Sequence, residues 1–248
     1  MKIDARKIFW GALLIILSAI FYTVHFVIFR DPHHLFIFLV GDIAFVFIEV
    51  WLVTMIIHEL LNYREKKNKL NKLNMIIGAF FSEVGNHLLK LFSEFDHNAE
   101  KMRENFISCH GWTGEQFIAS ARKCSEYEYD IDTRKGSLEA LREFLVSKRF
   151  FLLNLLQNSN LLEHDTFSDL LWSVFHLTEE LEERTDIKKI SEADSRHLSQ
   201  DIRRAYTHLI SEWLNYMNHL REGYPYLFSL AVRKNPFDPA ARAEIADE

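Results

Sequence analysis

Residues 36–57 read FIFLVGDIAFVFIEVWLVTMII, an apolar run long enough to cross a bilayer that nevertheless carries Asp42 and Glu49. A second run, IFWGALLIILSAIFYTVHFVIF at 8–29, precedes it, with Tyr22 and His25 as its ionisable groups of note. At about 1.5 Å per residue such a run reaches roughly 33 Å as a helix, which matches the hydrocarbon core of a bilayer. The first run is too long for the apolar region of a signal peptide, and no small-x-small cleavage site follows it. The short stretch RDPHH leads straight into the second run, and Pro32 breaks the helix there. Residues 1–60 are therefore expected to form a two-helix transmembrane hairpin, with spans at 8–29 and 35–57.

Basic residues set the expected direction. Lys2, Arg6 and Lys7 precede the first span, and Arg64, Lys66, Lys67, Lys69 and Lys72 follow the second, while the connecting loop holds Arg30. The positive-inside rule then places both termini in the cytoplasm of a multi-pass protein of the inner (plasma) membrane. Trp10 and Trp51 fall near the inner interface, where indole rings favour the headgroup level. Arg64, Lys66, Lys67 and Lys69 are candidate contacts to anionic lipid. The alternative is a solvated collar on a continuing helix.

A charged side chain at mid-bilayer costs about 2.5–3.5 kcal/mol on insertion scales. Asp42 and Glu49 are seven apart, about two turns, and so share one helix face. If residues 29 and 35 sit level across the loop, Asp42 lies opposite Tyr22, with His25 within about one turn. Glu49 then faces the level of Ile15 and finds no obvious partner in its own hairpin. It must be protonated, bonded to another subunit or reached by water. A homo-oligomer satisfies this: acidic faces of several second spans converge, and Asp42, Glu49, Tyr22 and His25 become candidate ion-binding or pore residues. The competing expectation is that both acids hold helices together as neutral carboxyls.

Beyond the spans the pattern is helical. Leu70, Leu73, Ile77, Phe80, Val84, Leu88, Leu91, Phe95, Met102 and Phe106 recur at steps of three and four, skipping one at Ala99. They predict one long amphipathic helix over 62–108. CHGWTG breaks it, and a helix over 115–126 follows. Ser137 and Ser191 are expected as N-caps, as is Asp165 or Thr166 between them, each opening an apolar stripe. QNSN ends the helix that Ser137 starts, and Gly223 and Pro225 interrupt the last one. With 21 Phe but only 8 Gly and 4 Pro, and with no strand-like alternation, the fold class is all-α: the hairpin followed by a cytoplasmic helical bundle at 61–235 and a loose tail at 236–248.

Candidate chemistry in the bundle is sparse. Glu94 with His97, His176 with Glu179, His208 with Glu212 and His219 with Glu222 have helical spacing, but none completes a metal motif such as HExxH. Cys109, His110 and Cys124 lack a zinc spacing, and the two cysteines are expected as reduced thiols. There is no Gly-rich phosphate loop and no GxSxG. No metal, cofactor or catalytic residue is expected, and the chain is not expected to be an enzyme. The net charge of −6 argues against nucleic-acid binding. The expected partners are membrane lipids, further copies of the chain and a cytoplasmic protein.

Four stretches carry a resemblance: DPHHLFIFLVGDIAFVFIEV, IIGAFFSEVGNHLLKLFSEFD, NLLEHDTFSDLLWSVFHLTEELEER and GYPYLFSLAVRKNPF. They resemble an uncharacterised family of prokaryotic two-span membrane proteins. The resemblance covers most of the chain and implies architecture alone, with no activity and no functional residue. Three function classes stand at this point: an oligomeric ion-conducting or ion-sensing assembly, an ion channel candidate, which is preferred; a non-conducting scaffold or signalling adaptor whose bundle binds a partner; and, without positive support in the sequence, a metal-dependent enzyme on the bundle, which would need bound iron or zinc.

Overall fold

A computed structural model describes residues 5–158, 161 and 164–244, the side chains of residues 5 and 7 excepted. Lys2, the side chain of Lys7, Ser159 and Asn160 of QNSN, and the end of the tail at 245–248 lie outside the described residues. The described chain is all-helical, with an isolated antiparallel bridge between Asp96 and Ile131. Two compact units divide at Lys66/Lys67, slightly later than the expected boundary at residue 60.

In the first unit, α1 (Ala5–Phe29) leads through Arg30 and Asp31 into α2 (Pro32–Phe80). Arg30 takes φ of 52°, and its N–H donates to the Phe26 carbonyl at 2.8 Å, a left-handed end to the helix. Asp31 Oδ1 then accepts from the N–H groups of His33 and His34, and Pro32 occupies the first helical position, where its missing N–H costs nothing. Both helices are long and apolar enough to cross a membrane by length and composition, and none of the residues in their most apolar windows is buried.

The second unit is a helical bundle. The apolar stripe read from the sequence is buried from Leu73 onward, with Ile77, Phe80, Val84, Leu88 and Phe95 entering the core, whereas Leu70, expected at its start, is exposed. The single helix expected over 62–108 is corrected, however. A π-turn, Phe81–Gly85, passes into α3 (Asn86–Phe95), and the chain then turns extended at Asp96 before α4 (Ala99–Ile107). The cause is tertiary. Asp132 N–H donates to the Phe95 carbonyl at 2.9 Å and His97 N–H to the Asp130 carbonyl at 3.0 Å, so a distant loop takes the polar groups that would continue the helix.

The remaining helices are α5 (Gly114–Ser125), α6 (Leu138–Leu156), α7 (Asp165–Glu182), α8 (Glu192–Gly223) and α9 (Pro225–Arg233). Ser137 and Ser191 cap α6 and α8 through their hydroxyls. Neither Asp165 nor Thr166 caps α7: His164 does, its Nδ1 accepting from Phe167 N–H at 3.3 Å. Thr113 and Gln116 form a reciprocal capping box on α5, the signature T-x-x-Q. The long helix α8 is the axis of the bundle and packs against α5, α7, α9 and α3. The expected loose tail from residue 236 is corrected at its start. Phe237 is 2% exposed against Phe106 and Trp213, and the neighbouring Asn235 amide donates to the Phe106 carbonyl at 2.8 Å.

Candidate functional site

In the first unit Asp42 takes the first of its two neighbours across the hairpin, Tyr22 and His25. The Tyr22 hydroxyl donates to Asp42 Oδ2 at 2.9 Å, joining α1 to α2. His25 does not reach Asp42. Its ring lies parallel to His34 at 5.9 Å between centroids and packs on Phe29 and Phe38. Ser18, Tyr22, His25 and Asp42 line one open groove with Phe21, Leu35 and Phe38. Glu49, two turns further along α2, is exposed and has no hydrogen bond or ion pair among the described residues. Arg64 and Lys66 close the first unit, Lys67 and Lys69 open the second, and all four are exposed on α2.

The histidine pairs singled out by spacing are not brought together as sites. His97 lies 3.7 Å from Asp132 rather than beside Glu94. Glu212 is buried, and its Oε1 meets the Asn215 amide. Cys109 and Cys124 are buried free thiols, and burial pushes Cys109 up to about 11 and Cys124 in the same direction. Such thiols are poor nucleophiles and poor ligands.

His219 accepts from the Asn74 amide, Nδ2 to Nδ1 at 3.1 Å, which leaves the ring proton on Nε2. Burial holds this imidazole below its ordinary range, with Glu222 opposing. The unfolded chain therefore binds the proton more readily, and stability is expected to fall as pH drops through about 6.5. His219→Gln is expected to show a shallower loss of Tm between about pH 7.5 and about pH 5.5 than the parent chain. An unchanged slope would mean that His219 does not contribute.

The constellation that sequence spacing missed lies between α7 and α8. His176 and Glu180 are one turn apart on α7, and His197 and Asp201 are one turn apart on α8. His176 Nε2 and His197 Nε2 lie 3.6 and 3.3 Å from Asp201 Oδ2. Glu180 faces the same two rings at 3.9 and 3.5 Å. Asp201 is 3% exposed, and its Oδ2 is buried without a hydrogen-bond donor among the described residues. Arg184 orients the outer edge of the cluster, its guanidinium gripping Asp194 Oδ1 and Oδ2 at 2.7 and 3.1 Å and Glu180 Oε2 at 2.8 Å. The sequence shows two His-x-x-x-acid pairs, HLTEE and HLSQD, but only antiparallel packing of α7 on α8 makes them one group.

A family profile described as "Uncharacterized protein MJ1433, C-terminal helical domain" matches residues 69–233, and its companion, "MJ1433, N-terminal helical domain", matches residues 2–61. The chain belongs to the MJ1433 family. Uncharacterized protein MJ1433 of Methanocaldococcus jannaschii is 42% identical over 225 residues, covering 91% of this chain and 90% of that one. No solved structure matches this MJ1433-family chain. The gap between the two matched MJ1433 domains brackets Lys66/Lys67, where the compact units divide.

Proposed function

We propose that this chain is a multi-pass protein of the plasma membrane, anchored by α1 and the first part of α2, with both termini and the helical bundle on the cytoplasmic side. It assembles as a homo-oligomer, and Glu49 faces a cation or proton path or an ion-sensing site at the seam between copies. The observation that carries this reading is Glu49 itself, a carboxyl without a partner in the middle of an apolar stretch whose side chains are unburied in their own chain. Apolar surface on that scale needs lipid or another protein to cover it. A carboxyl within it needs protein or water. Arg64, Lys66, Lys67 and Lys69 would meet anionic headgroups at the cytoplasmic face.

The test is flux through liposomes holding the full-length protein. Glu49→Gln is expected to lower cation or proton flux by about tenfold or more, the change that about 1.4 kcal/mol of lost ion stabilisation produces. Asp42→Asn is expected to have a smaller effect, since Asp42 already has Tyr22. Unchanged flux in both variants, with assembly intact by cross-linking, sinks the proposal.

The second reading is a non-conducting scaffold or signalling adaptor whose bundle binds a cytoplasmic protein. The Tyr22–Asp42 bond favours it, because there an intramembrane acid serves to hold two helices of one chain together. On this reading an unrelated hairpin would replace α1 and the start of α2 without loss of function. Neither reading assigns a catalytic step to the chain.

A further inference from the structure

We infer that His176, His197 and Asp201, with Glu180 beside them, form a binding site for one divalent ion of the zinc class, clipping α7 to α8. The three donor atoms, His176 Nε2, His197 Nε2 and Asp201 Oδ2, lie within 4.8 Å of one another. Around a tetrahedral ion with bonds of about 2.0–2.1 Å, neighbouring ligand atoms stand about 3.3–3.4 Å apart. The separations of 3.3 and 3.6 Å from the two rings to Asp201 Oδ2 approach that edge length, and Glu180 lies close by, its Oε2 3.5 Å from His197 and its Oε1 3.9 Å from His176.

The second observation is the unsatisfied floor of the site. Asp201 sits beneath two half-exposed rings, His176 at 44% and His197 at 48%. Its Oδ1 faces Arg204 at 3.4 Å, and its buried Oδ2 is aimed at the two imidazole Nε2 atoms, at 3.3 and 3.6 Å, without forming a hydrogen bond to either. A buried carboxylate oxygen without a donor is costly, and a cation held by both rings removes that cost. The donor set decides the class of ion. Two imidazole nitrogens with carboxylate oxygens suit zinc and neighbouring first-row ions, whereas calcium and magnesium take oxygen ligands.

Glu180 supplies either a fourth ligand or, held by Arg184, an outer carboxylate that fixes the His197 ring. Arg204 plays the corresponding part for Asp201. A site with three firm ligands keeps a position open for water. All of these residues lie in the second compact unit, and the inference is independent of the membrane reading.

The full chain, purified in detergent without a polyhistidine tag and stripped with chelator, is titrated with Zn2+ and with Co2+. One Zn2+ per chain, a raised Tm and the visible absorption of four- or five-coordinate Co2+ are expected. Asp201→Asn is expected to weaken Zn2+ binding by about 100-fold or more, beyond the 10–100-fold typical of an outer-shell change. Because Asp201 is buried, the half-exposed His176→Gln repeats the measurement in a variant whose helicity is checked by circular dichroism. Glu179→Gln, at the neighbour that sequence spacing would have chosen, is expected to bind as the parent does. Less than one Zn2+ per chain overturns the site. So does binding that survives in both Asp201→Asn and His176→Gln, and so does loss on Glu179→Gln alone.

Discussion

Trp213→Ala is expected to lower the stability of the helical bundle by about 3–5 kcal/mol, the range for removing a large buried aromatic side chain. Trp213 lies on α8, the helix most of the bundle packs against, and is 2% exposed. Its ring meets Phe106 of α4 at 6.0 Å between centroids and Phe237 of the tail at 5.2 Å, and those two rings meet each other at 4.9 Å. The three form a closed aromatic cluster drawn from three separate stretches of chain. Alanine leaves a hole that no single neighbour fills, because Leu209, Leu214 and Met217 are already committed to the same core. Chemical denaturation of the full chain, followed by helical circular dichroism, measures the loss. A loss below about 1 kcal/mol would mean that the Phe237 segment collapses into the gap. Phe237→Ala should then be nearly silent, whereas an intact cluster makes it costly as well.

Gly85→Ala is expected to destabilise by about 1–3 kcal/mol, although helix propensity alone favours alanine by about 1 kcal/mol. A Cβ at Gly85 would stand 2.4 Å from Phe81 Cδ1, 2.9 Å from Phe81 Cε1 and 3.1 Å from Phe80 Cε1. Both rings are held by aromatic partners. Phe81 stacks on Tyr216 at 5.1 Å, and Phe80 meets Phe167 edge-on at 5.3 Å, both deep in the core. The close approach coincides with the π-turn Phe81–Gly85, where one extra residue is accommodated before α3 begins. The same denaturation experiment reads the sign directly. A stabilised Gly85→Ala would show that the rings repack and that propensity decides at this position.

Much of the bundle was legible because burial imposes a period. Leu73, Ile77, Phe80, Val84, Leu88, Leu91 and Phe95 sit on one stripe whether or not their partners are known, and all seven are buried. Ser137 and Ser191 were equally legible, since a cap is a local bond between a hydroxyl and an N–H three residues on. The break at Asp96 was not, although the skipped step at Ala99 marked its place. It depends on a loop more than thirty residues away that supplies Asp130 and Asp132 to the backbone around Phe95. The cap of α7 was misplaced because histidine is an uncommon cap, and Asp165 and Thr166 are better ones by type.

The two candidate sites differ in the same way. Opposition of Tyr22 and Asp42 followed from the short loop at Arg30 and Asp31, which sets the register of two helices by counting alone. The group formed by His176, Glu180, His197 and Asp201 could not be counted, because its halves belong to different helices and each half reads in the sequence as an ordinary His-x-x-x-acid pair. By itself the sequence determined what local forces determine: which stretches are helical, which faces are apolar and which acids lie in apolar runs. Only the tertiary structure decided where helices stop for a distant partner, which rings lock Gly85, and which polar side chains from separate helices meet. Those outcomes depend on packing between segments far apart in the chain, and no spacing along it records them.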